Sequence, residues 1–220
     1  FLVKQFEEET NLRAHLLLDT SRSMLYAGRG RASKLDYARV LCACMAYLML
    51  LQRDSVGLVT FAGGILQHVP PRAKASHLEA IASTLAEAQI GDDTSFETSL
   101  SGVAERIQRR GVVMVVSDLI DEPEKVLRGL HLLHHLKHDL ILFHILDPDE
   151  IELPFRGLVR FEDPESQAKL LADPGRLQQD YRERIRKFIE SYRSGAREIG
   201  ADYVQIQTSD PLDRVLAHYL

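Results

Sequence analysis

Three oxygen-bearing side chains alternate directly after a short apolar run near the start of the sequence. Asp19, Ser21 and Ser23 stand at every second position, and 15–18 before them is typical of a buried strand. In an extended segment, residues two apart point to the same side, so the carboxylate and both hydroxyls are expected to converge. This is a hard set of oxygen ligands with little charge. It suits Mg²⁺ or Mn²⁺ rather than zinc, which prefers nitrogen and sulfur.

Two further oxygen donors lie far along the sequence, at positions that a sheet can bring close. Thr94 precedes a predicted helix, and Asp118 follows 112–116, the most strand-like run in the chain. If the strands that end at Asp19 and Asp118 are neighbours, both carboxylates reach the sheet edge where ligands bind. Thr98 is an alternative to Thr94, and a threonine before a helix is most often only a cap. Together with the two serines, these residues predict a divalent-cation site.

The order of predicted elements provides a sheet that can position these residues. Strand-like runs alternate with longer helical segments, which favours a parallel sheet with helices on both faces. A hairpin over 55–69 adds one antiparallel edge strand, and a second short hairpin is predicted over 158–171. We therefore expect a single open, mostly parallel α/β domain of the Rossmann-like class over residues 1–220.

Composition excludes several classes of protein. The 220 residues include 27 Lys or Arg and 32 Asp or Glu, a formal charge of −5, which argues against a general nucleic-acid binder. The longest apolar run, 40–51, is shorter than the roughly 20 residues that span a bilayer. Neither a membrane segment nor a signal peptide is visible. Cys42 and Cys44 point apart on one predicted helix and are expected to stay reduced, so we expect a cytoplasmic protein.

The five candidate ligands resemble the metal-ion-dependent adhesion site of von Willebrand factor A (VWA) domains. In chain order they are Asp19, Ser21, Ser23, Thr94 and Asp118. Three segments near the start, 1–4, 6–8 and 16–24, further resemble a bacterial branch, the domain-of-unknown-function family fifty-eight. Members of that family are commonly encoded beside MoxR-type AAA+ ATPases. The resemblance extends to about residue 207. Because the family's usual upstream segment is not seen, 1–12 are expected to be the remnant of a β-rich segment that precedes them in the natural protein.

This resemblance implies a VWA-type fold and a metal-dependent protein-binding module without chemistry of its own. In such sites the serines bind Mg²⁺ or Mn²⁺ directly, the threonine binds in some conformations, and the aspartates act mainly through water. A carboxylate from the partner completes the coordination, and a MoxR-type AAA+ ATPase or its client is the implied partner. Basic residues are expected to lie at the rim of the site and attract an acidic partner surface. They are Arg22, Arg29 and Arg31, with Lys34 beside them.

Three other interpretations have weaker support. Four histidines between His131 and His138 could bind zinc from one helix face, although a solvated polar face is the better interpretation. The loop 28–31 resembles half of a dinucleotide-binding loop but lacks the third glycine. The alternative function is a Mg²⁺-dependent phosphotransferase of the haloacid-dehalogenase type with Asp19 as nucleophile. That reaction needs an acid two residues later, where this chain has Ser21.

Overall fold

The computed structural model describes residues 12–91, 95–162 and 169–217. The strands are β1 Arg13–Asp19, β2 Ser55–Phe61, β3 Ile65–Arg72, β4 Val112–Ser117, β5 Asp139–Leu146, β6 Val159–Glu162, β7 Lys169–Ala172 and β8 Asp202–Gln207. The helices are α1 Lys34–Leu51, α2 His77–Ala86, α3 Phe96–Arg106, α4 Pro123–His135, α5 Pro148–Glu152, α6 Pro174–Ile199 and α7 Leu212–Ala217. A short 3₁₀ helix spans Arg22–Leu25.

Six strands form one sheet in the order β3-β2-β1-β4-β5-β8. All neighbours are parallel except β3, which runs antiparallel to β2 at one edge. The predicted open, mostly parallel sheet with one antiparallel edge strand is thereby confirmed. The strand order reverses between β1 and β4, and the crevice at such a switch point is where open α/β sheets bind ligands. Strands β6 and β7 form a separate two-stranded hairpin.

Apolar layers cover both faces of the sheet, because successive residues of a strand point to opposite faces. On one face Leu16 packs in a layer with Leu41 of α1 and residues of α2. On the other face Leu17 packs in a layer with Phe96 of α3 and residues of α4 and α6. The helices on both faces agree with the predicted architecture. The buried central strands hold the ends of β1 and β4 in place.

His15 is a polar exception in the core strand β1. Its side chain is buried, and neither ring nitrogen has a hydrogen-bond partner among the residues that the structure describes. Burial, together with the nearby His138, Arg13 and His68, lowers the pKa of His15 to about 4. An unfolded histidine titrates near 6.5, so between these values the unfolded chain binds more protons. Because of His15, the free energy of unfolding therefore decreases as the pH falls from about 6.5 towards 4.

We expect His15→Leu to stabilise the domain, and by about 1–2 kcal/mol more at pH 5 than at pH 7.5. Leucine has no ring nitrogens to leave unpaired and no proton to bind in the unfolded chain. Urea denaturation at the two pH values measures the difference, with His131→Leu at an exposed position of α4 as the matched control. An equal effect of His15→Leu at both pH values would contradict the prediction.

Candidate metal centre

The ends of β1 and β4 bring Asp19 and Asp118 to the same edge of the sheet. The two strands are adjacent and parallel, with Leu18 opposite Val116. Asp19 and Asp118 expose 0% and 1% of their surface. Two carboxylates are thus buried at the switch point, at the edge where the sequence placed them.

Hydrogen bonds hold the Asp19 carboxylate from two sides. Its Oδ1 accepts from the backbone N–H of Ser21 at 2.9 Å, and its Oδ2 accepts from the hydroxyl of Ser117 at 2.6 Å. Burial and the nearby Asp118 raise the pKa of Asp19 to about 7, although the hydrogen bonds act in the opposite direction. A cation beside Asp19 would favour its ionised form.

The hydroxyls of Ser21 and Ser23 meet near this carboxylate. Their Oγ atoms are 3.0 Å apart, and both residues are buried. The extended loop predicted for this segment is wrong at Ser23, which lies in the 3₁₀ helix. The backbone N–H of Met24 donates to the carbonyl of Ser21, and that of Tyr26 to the carbonyl of Ser23. Met24 is fully buried in the core, so packing stabilises the tighter turn that brings the two hydroxyls together.

The chemistry of this donor set fits a small, hard cation. Two ligands at adjacent corners of an octahedron around Mg²⁺, each about 2.0–2.1 Å from the metal, are about 2.9 Å apart. The two serine oxygens have nearly this separation. No cluster of three or more His, Cys, Asp or Glu suited to a metal occurs in the described part of the chain. The candidate centre therefore depends on hydroxyl as well as carboxylate oxygens. Thr94, the other predicted ligand, lies outside the described residues.

Asp118 is bonded to donors from the protein itself. The ammonium of Lys34 donates to Oδ2 at 2.8 Å, and the backbone N–H of Ile120 donates to Oδ1 at 3.2 Å. Lys34 also forms an ion pair with Glu150 of α5. Burial alone would lower the pKa of Lys34, but the Asp118 and Glu150 carboxylates hold it above its ordinary value.

The prediction that Lys34 lies at the rim of the site is wrong, because its side chain is fully buried. The hydroxyl of Ser33 accepts the backbone N–H of Asp36, so Lys34 is the first residue of α1. From that position its side chain extends inward to β4 and α5. A positive charge is therefore buried beside the candidate ligands.

The three arginines predicted to contact a partner lie in different environments. Arg31 donates to both carboxylate oxygens of Asp147, at 2.7 and 3.0 Å, and forms an ion pair with Asp149 at 2.6 Å. It thus ties the β1–α1 loop to α5, so its charge is already paired within the domain. Arg22 is half-buried, and Arg29 is exposed. Contact of these arginines with a partner stays a prediction.

Asp147 is a buried carboxylate that the sequence reasoning missed. It accepts hydrogen bonds from the backbone N–H of Gly28 at 3.0 Å, from Arg31, and from the hydroxyl of Thr208 at 2.8 Å. Burial acts to raise the pKa of Asp147, but these hydrogen bonds lower it to about 2. A Cβ at position 28 would lie 1.7 Å from a guanidinium nitrogen of Arg31, so glycine permits the close approach. The backbone of Gly28 therefore binds a carboxylate, and the glycine at this position is explained without a bound phosphate.

A simple signal could have indicated the missed acids. Asp147 and Glu150 follow β5, which is a third parallel strand beside β4. The argument from strand ends that located Asp19 and Asp118 applies equally to them. Ser117 was also missed, although it is the last residue of β4.

The four histidines considered as a zinc site do not share a helix face. His138 lies beyond the end of α4, where it is buried with its Nε2 3.3 Å from the carbonyl oxygen of Ile107. The other three, His131, His134 and His135, are exposed on α4. The solvated face predicted for the helix accounts for these three.

Sequence comparison places the chain in a family. The family described as "Protein of unknown function DUF58" matches residues 1–194. Uncharacterized proteins of Mycobacterium bovis and of two strains of Mycobacterium tuberculosis are each 26% identical over 167 residues, which is 74% of this chain and 52% of theirs. The chain thus spans about half the length of the curated relatives that it matches.

Solved structures show the same fold. The chain is similar to an aerotolerance-related membrane protein from Bacteroides fragilis with multiple mutations to serines (TM-score 0.59, 17% identity, 94% of this chain and 96% of that one). It is equally similar to the conserved hypothetical protein BatB from Bacteroides thetaiotaomicron (0.59, 15%, 94% and 96%). The VWA domain of SpRpn10 is also similar (0.51, 12%, 96% and 96%). The likeness to this domain shows that the chain has a VWA-like fold.

The predicted cytoplasmic location is overturned by these comparisons. The similar Bacteroides fragilis structure is described as a membrane protein, so the inference of a cytoplasmic location from reduced cysteines does not stand. Within 12–91, 95–162 and 169–217, no helix has the length and apolar character needed to cross a bilayer. With the family match over residues 1–194 and the VWA-like structures, the chain belongs to the DUF58 family and has a VWA-type fold.

Proposed function

We propose that this domain binds a partner protein through a divalent cation held by Asp19, Ser21 and Ser23. The observation that carries the proposal is the 3.0 Å approach of two buried serine hydroxyls near a buried carboxylate. When bound, Mg²⁺ or Mn²⁺ offers an open coordination position to a carboxylate of the partner. The resemblance to the adhesion site supports the same assignment.

Each residue of the centre has a proposed role. Ser21 and Ser23 bind the cation directly, and Asp19 provides negative charge in an orientation that Ser117 helps to fix. Asp118 supports the cation through water, because its carboxylate is already paired with the buried ammonium of Lys34. Thr94 remains a predicted ligand.

Lys34 limits the negative charge of the centre. Its ammonium lies between the carboxylates of Asp118 and Glu150 and offsets part of their charge. In a buried site, the attraction of a carboxylate to the cation and its repulsion by neighbouring carboxylates are both large. A cation with few anionic neighbours therefore attracts an additional carboxylate more strongly. The buried lysine therefore favours an acidic partner residue over a closed set of protein ligands.

Binding of Mg²⁺ should raise the melting temperature of the domain, because a ligand of the folded state stabilises that state by mass action. At a concentration 100 times the dissociation constant the gain is about 2.7 kcal/mol. For a domain of this size that corresponds to about 5–10 °C. Ser23→Ala should lose most of the shift, whereas Ser83→Ala at an exposed position of α2 should retain it. The absence of any shift in the wild-type protein at millimolar Mg²⁺ would contradict an intact site.

The proposed partner is a MoxR-type AAA+ ATPase or its client, since members of the family are commonly encoded beside such ATPases. The test is a pull-down of a MoxR-type AAA+ ATPase from the same organism by this domain, with Mg²⁺ and with a chelator. We expect capture only with Mg²⁺. Equal capture in chelator would rule out a metal bridge, whereas a metal-induced thermal shift without capture would exclude this partner and leave the metal site intact.

A further inference from the structure

Strand β8 presents an open edge of the main sheet. In the described part of the chain its only strand neighbour is β5. The backbone N–H of Thr208 donates to the carbonyl of Leu146, the last residue of β5, so the backbone N–H of Thr208 points towards β5. Backbone groups of successive residues point to opposite sides of a strand, so those of Tyr203 and Gln205 point away from β5. Gln207 points the same way, and its N–H is taken by the side chain of Asp210 at 2.7 Å.

Helix α6 places a row of arginines beside this edge. At 100° per residue, four arginines of the helix lie within a stripe about 60° wide. They are Arg182, Arg186, Arg193 and Arg197. Arg193 positions the stripe against β8, because it donates to the side chain of Gln205 at 3.1 Å and lies 5.7 Å from the ring centre of Tyr203. The row is about 22 Å long, which is close to the length of about 20 Å for a six-residue strand.

Two adjacent hollows, together called the groove below, lie between the stripe and the strand edge. One hollow of about 320 Å³ is lined by Arg182, Arg186 and Gln205 among others. A second hollow, of about 450 Å³, is lined by Arg197 and Tyr203 among others. Arg193 lines both, so the two hollows lie side by side along β8.

Arg186 and Arg197 are the cations of the groove that remain available to a ligand. Both are exposed, and neither forms an ion pair with another described residue. The other two arginines are paired, Arg182 with Glu152 and Arg193 with Glu190. One further acidic residue, the exposed Asp202, lines the end of the groove near Arg197. The groove therefore keeps an excess of positive charge, greatest near Arg186.

We infer that this groove binds an extended acidic peptide of a partner protein, which adds as a strand to β8. The peptide backbone pairs with the outward groups of Tyr203 and Gln205, while alternate acidic side chains reach Arg186 and Arg197. A nucleic acid could contact the arginines but has no backbone that matches a strand edge. The groove lies two strands away from β4, so this second interaction surface does not depend on the proposed cation.

The test uses a labelled decapeptide of alternating Glu and Thr as the probe, with fluorescence anisotropy as the measurement on the whole 220-residue chain. Combined Arg186→Glu and Arg197→Glu substitutions should weaken binding by about tenfold or more. The matched control combines Arg184→Glu and Lys187→Glu, which make the same charge change at exposed positions of α6 outside the arginine stripe. The control should bind within about twofold of the wild-type chain.

A second arm keeps the wild-type chain and changes the probe. Methylation of alternate backbone nitrogens in the decapeptide removes the donors that pair with β8 and should weaken binding by about tenfold or more. No binding of the unmodified peptide, or equal binding of the methylated one, would overturn strand addition. Tighter binding of a poly(U) oligonucleotide, lost in the Arg186→Glu and Arg197→Glu chain, would reassign the groove to nucleic acid.

Discussion

Replacement of Asp19 by Asn should abolish the Mg²⁺-dependent stabilisation of the domain and the chelator-sensitive capture of its partner, without lowering the stability of the metal-free domain. Asparagine keeps the shape of the side chain, so its carbonyl oxygen can still accept from Ser21 and its amide can donate to the Ser117 hydroxyl. The change removes only a buried negative charge beside Asp118. Asp19→Ala should also abolish metal binding, but it leaves two buried donors unpaired at a cost of about 1–3 kcal/mol each.

Thermal unfolding and calorimetric titration with Mg²⁺ measure this prediction. Asp139→Asn, at an exposed position of β5 where the carboxylate pairs loosely with Arg110, is the matched control and should bind Mg²⁺ like the wild type. If Asp19→Asn retained the Mg²⁺-dependent shift, Asp19 would not belong to a cation site. Metal-dependent phosphatase turnover that disappears in this variant would instead favour the phosphotransferase alternative. That reaction needs a second acid two residues after the nucleophile, where this chain has Ser21.

Lys34→Met should destabilise the domain by about 3–5 kcal/mol, the usual cost when one partner of a buried ion pair is removed. Methionine has a similar length and fills much of the same space, so the main loss is electrostatic. Asp118, at 1% exposure, would lose the ammonium that donates to its Oδ2. Glu150 would lose its partner as well.

Urea denaturation compares Lys34→Met with Lys125→Met, which removes an exposed pair with Glu122 at 3.0 Å. The surface substitution should change the free energy of unfolding by less than about 1 kcal/mol. Should both variants prove equally stable, the buried pair would contribute no more than a surface contact. If Lys34→Met fails to fold, Glu150→Gln is the milder test, because Lys34 then keeps its ion pair with Asp118. This variant should lose less stability than Lys34→Met.

The arrangement of strands and the two acids that follow them could be predicted from the sequence. A run of apolar residues that ends in a carboxylate shows both the buried strand and its polar end, and this located Asp19 and Asp118. The turn at Ser23 could not be predicted in the same way, because it depends on the burial of Met24 in a core formed by distant elements. Lys34 was placed at the surface because lysines are rarely buried. Its acidic partners lie 84 and 116 residues away, a separation that no local pattern reports.

Helix α5 owes its position to charge more than to apolar packing. It has five residues, none of them buried, and a helix this short does not persist on its own. Arg31 and Lys34 fasten it to the β1–α1 loop through Asp149 and Glu150. The loop and the helix therefore form one cooperative unit, whose amide hydrogens should exchange with solvent in a single opening event rather than residue by residue.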